Sequence, residues 1–171
     1  MFILGHLGVT LGIFFILEHI LPPLKGRLDY RYIAFGALLP DILDKLIGRV
    51  IFAETIGNGR IIGHTLAFCL VITLLSYYRY RLSKDTHIFQ ITGACFFHLL
   101  EDRMWTAPET LFWPALGWDF PVCPYPDSVI DYFLNMIMNS YVPSLSLEFI
   151  AESIGGCIIV VLVVAKYLRH R

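Results

Sequence analysis

Apolar residues run along this chain in stretches of bilayer length, without the strict alternation of strands or the one-sided stripe of soluble helices. A spanning helix needs about 20 predominantly apolar residues, and five stretches approach that length. They are residues 2–24, closed by Pro22 and Pro23; 32–52, interrupted by Pro40; 61–78; 88–105, shorter and more polar; and 149–168, unbroken apolar over 158–165. Between the last two, 106–148 is rich in proline, tryptophan and acids. Within it, 127–141 mixes apolar and polar residues at helical spacing, which suits a helix lying in the membrane interface. The expected architecture is an all-α integral membrane protein with about five transmembrane helices plus an interfacial amphipathic helix. It forms a single domain over 1–171, with 106–148 as an external loop.

Composition agrees. Of 171 residues, 57% are hydrophobic, with a mean hydropathy of +0.66, against roughly 45–50% apolar in soluble domains. A formal net charge of -1 gives no electrostatic reason to expect a nucleic-acid partner. The apolar N-terminus lacks a basic start and a small-residue cleavage site, so the first helix is expected to stay in the protein. Basic residues follow the first span (Lys25, Arg27, Arg31), the third (Arg79, Arg81, Lys84) and the fifth (Lys166, Arg169, Arg171). If those clusters are cytoplasmic, five alternating spans put the N-terminus outside, the C-terminus in the cytoplasm and the long loop outside. Arg49, Arg60 and Arg103 then lie on the outer side. Cys69, Cys95 and Cys157 lie in apolar runs and Cys123 in a proline-rich loop, with no C-x-x-C pair to hold zinc.

The titratable groups do not suit hydrocarbon. His6 lies early in the first span. Asp41, Asp44 and Lys45 interrupt the second, His64 opens the third, and His98, Glu101, Asp102 and Arg103 end the fourth. On the predicted topology all fall between mid-membrane and the outer side. An aspartate at a helix centre costs roughly 2.5–3.5 kcal/mol, so Asp41, Asp44 and Asp102 together cost up to about 9 kcal/mol, comparable with the stability of a domain. A divalent cation would compensate, because carboxylates and neutral imidazoles are its ligands. His98 and Asp102 stand at i,i+4 on one helical face, and Asp41 and Asp44 at i,i+3. Pro40 favours a first helical turn, so Asp41 is expected where a helix restarts. The bland readings are an Asp41–Lys45 ion pair and a His98 that hydrogen-bonds a neighbouring helix. His19, His87 and His170 look interfacial or solvated, and Trp105, Trp113 and Trp118 suit an interfacial aromatic belt.

The series Gly5-His6-Leu7, Leu38-Leu39-Pro40-Asp41 with Asp44 behind it, Gly63-His64-Thr65, His98-Leu99-Leu100-Glu101-Asp102 and Leu111-Phe112-Trp113-Pro114 resembles the YdjM-like family of membrane-bound, metal-dependent hydrolases. The resemblance covers roughly the first two thirds of the chain. It implies a helical, metal-dependent hydrolase, distantly similar to zinc-dependent phospholipase C and single-strand nucleases, with His6, Asp41, His64, His98 and Asp102 as the matching ligands. Two departures stand out. The family's second Asp commonly comes two residues after the first, whereas Asp44 comes three after Asp41; and a His-Arg pair is replaced here by Gly59-Arg60. Asp44 or Glu101 is the candidate substitute ligand.

The reading that follows is metal-dependent hydrolysis of a phosphoester or lipid-linked substrate at the outer membrane face. A divalent metal, Zn²⁺ on ligand type, would activate a water. Asp44 is a further ligand or general base, and Arg60 and Arg103 hold a phosphate oxygen. Membrane lipid is the expected partner. The alternatives are an ion or proton transporter with an Asp/His relay, and a non-enzymatic membrane protein with a satisfied polar core.

Overall fold

The computed structural model describes residues 2–123 and 129–169, and every regular element among them is helical. Besides two 3-10 turns (Pro22–Leu24 and Met104–Thr106), these are in order α1 (Ile3–Ile20), α2 (Tyr30–Lys45) running into a π-helical turn (Leu46–Ile51), α3 (Leu66–Ser83), α4 (His87–Glu101), the single turn α5 (Pro108–Leu111), α6 (Val129–Tyr141) and α7 (Leu147–Arg169). The expected interfacial helix is α6; Asp127, at its predicted start, lies outside the described residues.

Among the described residues, two helices are long and apolar enough to cross a membrane: Ile3–Ile20 and Leu147–Leu168. The five-span expectation is thus met for two. The 16-residue α2 and 15-residue α4 fall short of about 20 residues, and α3 carries Arg79 and Arg81 in its last turns. Boundaries shift for local reasons. The third helix starts at Leu66, not near residue 61, because Thr65 caps it by accepting from the Phe68 N–H at 2.9 Å. Nor does a helix restart at Pro40: α2 continues through it to Lys45.

α1 packs against α7 and α2, while α4 packs against α2 and α3. Many of the buried side chains are polar, beside two small apolar clusters, and the exterior is largely apolar. His6, Thr10, Asp44, His64, Thr65, Ser76 and His98 are fully buried, while α3 exposes Leu70, Val71, Leu74 and Leu75, and α7 exposes Val160, Val161, Val163 and Val164. Soluble domains show the reverse. Side chains of this kind on the outside suit a lipid solvent. At the α1–α7 crossing a Cβ on Gly8 would run into the Gly155 backbone, and one on Gly155 into that of Leu4 and Gly5, so the small residues permit the approach.

The ends of α1 and α2 are held by side chains from elsewhere. Phe2 provides no side-chain cap for α1. Glu152, on α7 and 2% exposed, accepts instead from the N–H groups of Phe2 (2.7 Å), Leu4 (2.8 Å) and Gly5 (3.0 Å). Three of the four free amides at that end thus meet one carboxylate, whose charge also suits the helix dipole. Asp29 caps α2 by accepting from the Arg31 N–H, and the Arg31 guanidinium holds its carboxyl down at about 2. Gln90 of α4 ties down the same turn: its Oε1 accepts from the Asp29 N–H at 2.8 Å, and its Nε2 donates to the Arg27 carbonyl.

Candidate metal centre

Four elements deliver the polar side chains to one end of the bundle: the first turns of α1, the last turn of α2, the loop before α3 and the end of α4. Pro40 explains part of this. It has no N–H to donate to the Gly36 carbonyl, and its ring crowds that turn. α4 supplies the replacement donors: the Cys95 thiol donates to the Gly36 carbonyl at 3.3 Å, and His98 Nδ1 donates to the Ala37 carbonyl at 2.7 Å. A carbonyl can only accept, so the His98 proton sits on Nδ1 and its Nε2 offers a lone pair.

His64 is fixed in the same way from another direction. Asp44 is fully buried. Its Oδ1 accepts from the Gly63 N–H at 2.7 Å, and its Oδ2 from the Ile61 N–H (2.7 Å), the His64 N–H (3.1 Å) and His64 Nδ1 (2.7 Å). Gly63 allows the loop to sit this close, since a Cβ there would lie 2.9 Å from Pro40 and 3.2 Å from Asp44 Oδ1. His64 Nδ1 therefore carries the proton, and Nε2 points its lone pair inward.

The two Nε2 atoms face each other at 3.2 Å. His64 Nε2 is 3.4 Å from Asp102 Oδ2 and 3.7 Å from Asp41 Oδ1, and His98 Nε2 is 3.9 Å from Asp41 Oδ1. One ligand atom from each of Asp41, His64, His98 and Asp102 lies within 4.8 Å of the others, all four residues being buried. Ligands at about 2.0–2.2 Å from one small divalent ion stand roughly 3.3–3.6 Å apart around a tetrahedron. The observed spacings bracket that range. The Asp102 oxygen already accepts from Arg60, and a cation at this point would satisfy the two imidazole lone pairs together with both carboxylates. The group can bind a metal ion.

The other expected residues fall into place around it. His6 is fully buried at the edge of the cluster, its ring stacked on His98 with centroids 3.9 Å apart. His6 Nδ1 donates to Glu101 Oε2 at 2.8 Å, whose Oε1 accepts from the Thr10 hydroxyl. Its Nε2 lies 3.2 Å from Asp102 Oδ1 without a hydrogen-bond partner. Asp44, expected as ligand or general base, faces the far side of His64, and both its oxygens are occupied. Glu101, the other candidate substitute ligand, orients His6 instead. Arg60 does not stand free for a phosphate: its Nε and Nη2 both donate to Asp102 Oδ2 at 2.9 Å, although the side chain is half exposed. Arg103 is exposed and makes no side-chain hydrogen bond or ion pair among the described residues. Lys45 donates to Asp41 Oδ2 at 2.6 Å, so the expected ion pair exists beside the cluster and leaves Asp41 Oδ1 facing the histidines. His19 donates to its own helix at the Phe15 carbonyl, away from the site.

Beside Asp102 opens a cleft of about 300 Å³, with Arg60, Glu101 and Arg103 on one wall and α7 residues from Leu147 to Ile154 on the other. Sequence reasoning missed Glu152, whose signal was an acid inside the last apolar run. It also missed the orienting roles of Cys95 and the Ala37 carbonyl, which carry no sequence signal because any residue supplies a carbonyl.

A protein-family model, that of the YdjM inner membrane protein, matches residues 1–170. No curated protein and no solved structure matches the chain.

Proposed function

The chain belongs to the YdjM inner membrane protein family, and on that premise we propose that it is a multi-pass, metal-dependent membrane hydrolase acting on a phosphoester or lipid-linked substrate at the outer face. One observation carries the reading. Two imidazoles with protons pinned on Nδ1, by Asp44 and by the Ala37 carbonyl, aim their Nε2 atoms at one point flanked by Asp41 and Asp102.

In this reading Asp41, His64, His98 and Asp102 hold the ion, with His6 a further ligand on the Asp102 side. Mixed imidazole and carboxylate donors favour Zn²⁺. The bound ion supplies a Lewis acid for the ester oxygen and lowers the pKa of a water to near neutrality. Asp44 and Glu101 are positioning residues that set the tautomers of His64 and His6. Arg103, with the donors that Arg60 does not commit to Asp102, binds a non-bridging phosphoryl oxygen as charge develops there. Hydrolysis adds one water across the ester: its oxygen forms the new bond to phosphorus, the bond to the leaving oxygen breaks, and the proton leaves on the alcohol.

Five crossings remain part of the proposal. α2 and its π turn together cover residues 30–51, α3 presents an apolar outer surface, and an odd number of spans puts the N-terminus outside with the basic clusters inside. The chain is taken as one domain, with α6 lying in the interface through exposed Ile130, Leu134, Ile137 and Met138. A transporter reading is less well supported, because the buried histidines and the carboxylates around them gather at one end of the bundle.

Metal analysis of the purified protein tests the proposal. Wild type should retain a stoichiometric divalent ion, and His64→Ala and His98→Ala should each lose it. Metal that is absent from wild type, or unchanged in both variants, removes the hydrolase mechanism.

A further inference from the structure

The cleft beside the metal cluster has two walls of opposite character. Arg60, paired with Asp102, and Arg103 line it together with Leu147, Ile150 and Ile154 of α7. The three apolar residues stand at i, i+3 and i+7 on α7, hence on one face. They are 62%, 40% and 51% exposed, and they span about 10 Å along the helix axis. That face leads directly from the charged end onto the apolar run of a helix long enough to cross the membrane.

Charge is uneven along the cleft. Asp102 shares its charge with Arg60 and the histidines, and Glu101 is engaged by His6 and Thr10. Glu148 also borders the cleft, in the first turn of α7, where its charge suits that helix's own dipole. Arg103 and Glu148 are the charges on the rim without a side-chain partner among the described residues, and Arg103 is the cation of the two. Its backbone is left-handed, with φ of 54°, a conformation that favours glycine and disfavours a long side chain.

We propose that this cleft binds a membrane-resident amphiphile: an anionic ester headgroup on Arg103 and Arg60, above the metal cluster, with a single alkyl chain along Leu147, Ile150 and Ile154. A soluble phosphoester would leave the apolar wall without a role, whereas a lipid entering sideways from the bilayer uses both walls. The assignment rests on the hydrolase reading for its chemistry, but the binding it requires stands apart from turnover. Ile150 and Ile154 become the residues that set specificity for chain length.

The test uses the full-length, metal-loaded protein in lipid nanodiscs and compares binding of dodecyl phosphate, inorganic phosphate and dodecyltrimethylammonium. Wild type should bind dodecyl phosphate at least about tenfold more tightly than either of the others, since each probe lacks one half of the match. The Ile150→Asn/Ile154→Asn double variant should lose roughly that factor for dodecyl phosphate and keep its affinity for inorganic phosphate. Arg103→Gln should weaken both anions. Ile150→Trp fills the cleft without adding polarity, so it should also lose dodecyl phosphate, and it serves if the asparagine variant inserts poorly. Equal affinity of wild type for the two phosphates, or chain preference intact in both Ile150 variants, would overturn the proposal. Turnover separates the two ideas. Chain-dependent binding with no hydrolysis of a dodecyl nitrophenyl phosphodiester would remove the hydrolase reading and keep the site. Equal hydrolysis of the methyl and dodecyl esters would remove the site and keep the hydrolase.

Discussion

Asp44 illustrates how a residue identified from its type takes its role from its neighbours. An acid three residues after Asp41 looks like a ligand in the sequence, and in the fold it accepts four hydrogen bonds on the far side of His64. Asp44→Asn isolates that role. An amide nitrogen would oppose an N–H donor, and relief by turning the His64 tautomer would put a proton on Nε2. Loss of an orienting partner typically lowers metal affinity by about 10- to 100-fold, so a chelator competition assay should show a fall of that size. Affinity unchanged from wild type would mean that His64 is held by its backbone alone. The ligands themselves were more legible than this. His98 and Asp102 at i,i+4 share a face by helix geometry, whereas the partners of a histidine's second nitrogen come from segments 20 and 61 positions away.

At the scale of elements, the site depends on how α1 meets its neighbours. α1 carries His6 one turn from its N-terminus, and that terminus is held by Glu152 of α7, assisted by the Tyr141 hydroxyl of α6 at 3.2 Å. Burial, with the Glu152 carboxylate second, pushes the Tyr141 phenol up, so it stays protonated and donating at neutral pH. Glu152→Gln keeps the shape but replaces one acceptor oxygen with a donor facing backbone N–H groups. Leaving buried donors unsatisfied costs about 1–3 kcal/mol. The variant should melt at a lower temperature in detergent, with less metal retained after dialysis because His6 moves. A melting temperature equal to wild type would show that the cap adds nothing. The pattern of apolar stretches located α1 and α7 because both are uniformly apolar. It overestimated α3 and α4 at their site ends, where capping by Thr65 and the turn at Asp102 stop the helix before the apolar residues do.

Viewed whole, the molecule buries many of its polar side chains and leaves large apolar ones outside, and the proposed orientation makes a labelling prediction. Cys69 and Cys95 are buried, Cys123 and Cys157 exposed, and Cys157 lies mid-way along α7, on the surface proposed to face lipid. A membrane-impermeant maleimide should label Cys123 from the outer side and leave inside-out vesicles unlabelled. Labelling only in inside-out vesicles would reverse the topology. The sequence by itself determined the all-helical class, the membrane setting and which histidines and aspartates are chemically out of place, since hydrophobicity and helical period are local properties of consecutive residues. Only the tertiary structure decided that Asp41, His64, His98 and Asp102 meet, that Asp44, Glu101 and Glu152 support others, and that an apolar face of α7 borders the arginines. Those outcomes depend on which surfaces come together when α2 packs on α4 and Gly8 on Gly155, and contact between distant segments leaves no trace in the order of residues along either one.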